Sequence, residues 1–241
     1  MKLTVASLTV LMIVVCACGP GKKKYESEVK AVHTVVPINQ VEIVEKVGYD
    51  TVTQFIAALA KEKNLDAGKQ AIITFLKQHY RSFDPTFLNK IDLHALRTEM
   101  LERIEAPLSD SPPGKDIHAL YFGLFISDRP PFTASKRPVT IIYMTGSKRT
   151  PAIDPEGWTN DPAYFPEEKY YIIPETFTSI NRVLDGYDHT EQIEEIIFSG
   201  ITNLIVGNAL GDIRKFSGLE DFYIGAGFDE ATIFVLGRVK P

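Results

Sequence analysis

Both cysteines of this chain fall within its first 18 residues, at Cys16 and Cys18. They close the stretch MKLTVASLTVLMIVVCACGPGKKK, which runs from Lys2 through an apolar segment, Leu3 to Val15, to the small-residue box Val15-Cys16-Ala17-Cys18. That order is the layout of a secretory signal. The apolar segment is shorter than the roughly 20 residues a membrane-spanning helix requires. A cut before Cys18 leaves one cysteine, too few for a disulfide framework or a cysteine-based zinc site. A domain outside the reducing cytoplasm must then be held by its core alone. Residues 18–241 are enough, because a chain of that size buries roughly 70% of its unfolded surface. A composition of 44% hydrophobic and 24% charged residues is ordinary for a globular fold.

The box resembles the lipobox of bacterial lipoproteins, in which the cysteine after the cut is lipidated and becomes the mature N-terminus. Ala17 is a small residue at the cut and Val15 is not, so the resemblance makes Cys18 the lipidation site. It implies a palmitate-type lipid anchor, a membrane as partner and the bacterial cell envelope as location. It also removes the last thiol from nucleophilic chemistry. Lys22, Lys23 and Lys24 follow directly. Near an anionic leaflet each contributes about 1 kcal/mol, a second signal of the kind a lone acyl chain needs; the alternative is a solvated spacer. Some surface-exposed lipoproteins carry an acidic stretch after the cysteine. A lysine run is the opposite, and implies a periplasm-facing orientation. The whole chain carries 26 basic and 31 acidic residues, a net charge of −5. An acidic balance makes nucleic acid a poor partner.

Residues 1–17 thus read as signal peptide and 18–48 as anchor and tether. A flexible tether of about 28 residues spans on the order of 30 Å in root-mean-square terms. Residues 49–106 carry helical periodicity: Asp50 caps Val52, Phe55, Ile56 and Leu59; Asp66 caps Ala71, Ile72, Phe75 and Leu76; and Asp84-Pro85 opens a third run. Prolines and small polar residues make 107–116 a linker. Residues 117–241 read as strands at 117–126, 138–145, 169–173, 221–226 and 232–239. Two helices lie between the third and fourth of these, the first over 175–184. The fold class expected is α+β, an N-terminal helical section followed by a mixed or antiparallel sheet with two helices.

Signatures with a mechanism are missing: no G-x-S-x-G, H-E-x-x-H or Walker loop occurs. Gly207 and Gly211 follow a helical run, not a strand, and read as helix-end glycines. The five histidines are scattered without ligand spacing, so neither a metal nor a cofactor is expected. Asp185, Asp188 and His189 are weak candidates for an acid–base site. Capping by Asp188 or Thr190 accounts for the same residues. The loop DPEGWTNDPAYFPEEKYY is the stronger candidate for binding, through Asp154, Glu156, Trp158, Asp161, Tyr164 and Tyr170. Aromatic faces interleaved with carboxylates suit a protein or peptide interface, a sugar or calcium. A loop pinned to the sheet by its aromatics, with its carboxylates in water, uses the same residues structurally.

The succession HALYFGLFIS, IIYMTGSKR, DPEGW and IGAGFDEATIFVLGRV resembles small α/β immunity proteins of bacterial toxin systems. Such proteins act by occluding a toxin, which implies binding without catalysis, and an acidic surface suits a basic partner. The reading is a non-enzymatic binding or interaction module with an envelope protein partner, toxin immunity being one version. The alternative is an envelope hydrolase acting on glycan or peptide. Carboxylates converging on His189 in a cleft favour the enzyme, whereas an aromatic, acidic patch favours binding.

Overall fold

Asn64 caps the longer of the first two helices, Leu65–His79. In the computed structural model the described residues are 41–129, 132–133, 137–155, 157–229 and 231–241. The signal, Cys18, the lysine run and the tether to residue 40 lie outside them, as does Glu156. The chain enters as a two-residue strand β1 (Val41–Glu42), followed by α1 (Tyr49–Leu59) and α2 (Leu65–His79). The Asn64 side chain caps α2 by accepting from the Ala67 N–H at 3.0 Å; Asp66 sits inside the first turn instead. Gly48 occupies the cap position of α1, and Asp50 lies in its first turn. Asp84 and Pro85 open a 3₁₀ turn (Pro85–Lys90), and Asp92 caps α3 (Leu93–Asp110) through the His94 and Ala95 N–H groups. Helix α3 runs through Pro107, beyond the end expected at 106, because Pro107 and Leu108 are buried against the body. Burial there outweighs the cost of a proline in a helix.

The second half supplies β2 (Ala119–Ser127), β3 (Val139–Ser147), α4 (Glu175–Leu184) and a two-residue strand β4 (Tyr187–Asp188). The long helix α5 (Glu191–Asn208) follows, then α6 (Leu210–Ser217), β5 (Phe222–Phe228) and β6 (Phe234–Val239). The sheet order is β3-β2-β5-β6. The two outer pairings are antiparallel and the central β2–β5 pairing is parallel, so the α+β fold has a mixed sheet. The third expected strand, 169–173, is a 3₁₀ turn (Glu168–Tyr170) followed by a single bridge from Ile172 to Ile142. That bridge and one from Tyr164 to Gly146 close the outer edge of β3, which otherwise offers unpaired backbone groups.

Residues 49–106 and 117–241 share one hydrophobic core. Ile56, Leu76 and Met100 from the helical section join Leu120, Phe122, Ile205 and Ile224 in a single cluster. Each such side chain, fully buried, contributes about 1.5–3 kcal/mol. Helix α5 is the hub. Gly207 lies in its last turn, as a helix-end glycine should, and a Cβ there would stand 2.5 Å from the Ala60 carbonyl oxygen, so it also serves close packing with the end of α1. Gly211 falls in the first turn of α6, which ends on Gly218 in the left-handed conformation that glycine adopts without penalty. No single helix among the described residues is long and apolar enough to cross a membrane.

Candidate functional site

The sheet has two unlike faces. Leu120, Phe122 and Leu124 point into the helical core, while Ala119 and Tyr121 point the other way, toward Trp158. Among the described residues that second face is covered by the loop between β3 and α4 and by the aromatic side chains of the strands. Trp158 is 1% exposed and forms the floor. It lies so close to β5 that a Cβ on Gly225 would come within 2.8 Å of its ring, so glycine is required there. Tyr121 packs edge-on against both Trp158 and Tyr143, and its hydroxyl donates to the Gly227 carbonyl at 2.8 Å. Desolvation pushes the Tyr121 hydroxyl well above its ordinary pKa.

Beyond Trp158 the rings become accessible. Phe125 meets Phe132, Tyr143 and Tyr171 at centroid distances of 5.7–5.9 Å. Tyr143 and Tyr171 in turn meet Phe165, which is 51% exposed. The Tyr143 hydroxyl donates to the Asp229 carboxylate. Burial and then that bond push Tyr143 up strongly, and the charges of Glu168 and Asp229 add to burial in raising Tyr171. The result is a half-buried aromatic patch with carboxylates within electrostatic reach.

The six candidate residues of the loop divide. Asp154 is a strut: it accepts from the Gly157 N–H at 2.9 Å and from Arg149 at 3.0 Å. Trp158 is core and presents no face to a ligand. Tyr164 is half-buried, bridges to β3 and has its hydroxyl raised to about 12 by burial. Tyr170 donates to Asp110 at 2.7 Å, with Lys169 over its ring. Asp161 is exposed, and Glu156 is outside the described residues. Phe125, Phe132 and Tyr143 are not marked as site residues by the sequence. The one signal that points to them is the alternation Tyr121-Gly123-Phe125, masked because both faces of β2 are apolar.

Asp185, Asp188 and His189 lie between α4 and α5, with Asp185 at the C-cap of α4. Asp188 is in β4, paired with Glu42, and His189 takes the left-handed conformation at φ 61° that turns the chain into α5. Thr190 stands at the cap position, its hydroxyl on Glu194 at 2.5 Å. His189 faces a cleft of about 640 Å³, which it lines with Glu42, Glu45, Tyr80, Glu191 and Gln192. Among the described residues His189 makes no hydrogen bond or ion pair with a carboxylate, and no three metal-ligating side chains gather.

Behind the cleft, α5 contains a π-helical turn, Glu195–Ser199, a feature frequent at functional sites. Ser199, Thr202 and Asn203 are fully buried, and their side-chain polar atoms, with Glu195 Oε1, meet no hydrogen-bond partner among the described residues. Burial raises the Glu195 carboxyl above its ordinary 4.5. A raised carboxyl favours the fold while protonated, so its cost appears as pH rises from 4.5 through the folded value. Glu195→Gln is therefore expected to raise Tm at pH 7 by no more than a few degrees, because the carboxyl is only half-buried and solvent screens part of its cost. The gain should vanish below pH 4. Thermal melts at both pH values check it.

Comparison with protein-family models, curated proteins and solved structures found no match to this chain.

Proposed function

We propose that this chain is a lipid-anchored protein of the bacterial envelope whose folded domain is a non-enzymatic binding module, toxin immunity being one specific version. The observation that carries the binding reading is the patch of Phe125, Phe132, Tyr143, Phe165 and Tyr171 on the Trp158 side of the sheet. Aromatic rings that are partly desolvated yet reachable are the residues that anchor protein interfaces. Asp229 and Glu168 give the patch the carboxylates expected against a basic partner. The anchor rests on the Cys18 box. Cys18→Ala should abolish acylation, measured by incorporation of labelled palmitate, and release the protein from the membrane fraction. Retention of label by the variant would refute the anchor.

A hydrolase acting on glycan or peptide is the second reading, favoured by the cleft that brings His189 together with Glu42, Glu45 and Glu191. Glu45 is a poor base there, because its bond to the Ser82 side chain holds its carboxyl below the usual range. His189→Ala decides between the readings. Loss of an envelope-hydrolytic activity at unchanged Tm would establish the enzyme; unchanged partner binding is the result expected of the module.

A further inference from the structure

We infer that residues 41–47 form a hinged strap over the cleft, one that opens as a unit while the core beneath it stays folded. The strap lines the 640 Å³ space through Glu42, Ile43, Val44, Glu45, Lys46 and Val47, together with Tyr80, His189, Glu191 and Gln192 of the body. Of these residues only Ile43 is buried, and Val44 is 71% exposed. Its apolar hold on the body is Ile43, which joins the core, and Val47, which packs against it; its polar hold is concentrated at three points. At the first, the Val41 and Ile43 N–H groups donate to the Gly186 and Asp188 carbonyls, both at 3.1 Å. In the middle, the Ser82 N–H and hydroxyl donate to the Glu45 carboxylate at 3.1 and 2.6 Å. At the last, the Gln192 amide accepts from the Val47 N–H at 3.1 Å and donates to the Val47 carbonyl at 2.8 Å.

Two features make this a device. Gln192 also accepts the Tyr80 hydroxyl, so one side chain at the start of α5 serves both the strap and the floor of the cleft. When the strap leaves, Gln192 keeps its bond to Tyr80, and the floor stays formed. Tyr80 itself is 1% exposed with the strap in place, so release opens the cleft onto an aromatic floor. A segment held by one buried and one half-buried apolar side chain and by a few part-buried polar bonds belongs to the low end of local stability.

Hydrogen exchange on the full chain in detergent tests this, read by mass spectrometry and paired with nitration of Tyr80. In the wild type, amides of 41–47 should exchange through openings that leave β2 and β5 protected. Gln192→Ala should speed that exchange about tenfold, the effect of roughly one to two net hydrogen bonds. Glu45→Ala, which leaves the Tyr80–Gln192 bond in place, should speed strap exchange several-fold and raise Tyr80 nitration by a similar factor. If 41–47 exchange only in step with β2 and β5, or if both variants speed exchange throughout the domain, the strap does not exist. Should Gln192→Ala fail to fold, Glu45→Ala alone is decisive.

Discussion

Trp158→Ala should destabilise the domain by about 3–5 kcal/mol, the range for removing a buried large aromatic side chain. The residue is 1% exposed, stacks edge-on against Tyr121 and fills the space that Gly225 leaves open. Its loss removes the floor on which Tyr121 and then Tyr143 rest, and leaves a cavity in a satellite core with few other members. Urea unfolding measures it: the midpoint should fall with little change in slope. A shift below 1 kcal/mol would mean that the loop is not pinned through this ring. Trp158→Ala is for the same reason a poor probe of binding, since any loss of partner would follow from a damaged fold.

The largest functional effect is expected from Phe165→Ala combined with Tyr171→Ala. Phe165 is 51% exposed and Tyr171 half-buried, so truncating them removes accessible ring surface while the Trp158 floor remains. If the patch is the centre of an interface, the pair should weaken partner binding by at least 2 kcal/mol, roughly 30-fold. Thermal unfolding should move by only a few degrees. Titration calorimetry with the purified partner separates the two, because a fold defect lowers the active fraction whereas a contact defect changes the affinity.

How much of this could be read from the sequence differs by element, for physical reasons. Helix α4 appears at its expected bounds, 175–184, because its amphipathic period is clean and Pro174 precedes it. The parallel pairing of β2 with β5 leaves no local trace; it is decided by the α4–α6 crossover and the burial of both strands. Asn64, not Asp66, caps α2, and the helix-end Gly207 is also a packing contact; neither shows in the sequence, because the alternatives differ only in tertiary surroundings. Trp158 illustrates the limit most plainly. A tryptophan among carboxylates in a long loop is an equally good surface anchor or core plug, and only the glycine opposite it, 67 residues later in the chain at Gly225, decides for the core. The patch that takes its place in the proposal draws Phe125 and Tyr143 from two strands and Phe132, Phe165 and Tyr171 from two loops. Nothing in one segment announces it.

The most direct measurement is site-specific photocrosslinking in the host's detergent-solubilised envelope. A benzophenone side chain would replace Phe165 in one version of the protein and exposed Glu102, on α3, in another. The expected result is one discrete adduct from position 165, absent from position 102 and competed away by unlabelled wild type but not by the Phe165→Ala, Tyr171→Ala protein. Equal or diffuse labelling from both positions, or competition by the double variant as effective as by wild type, would contradict a binding role for the aromatic face.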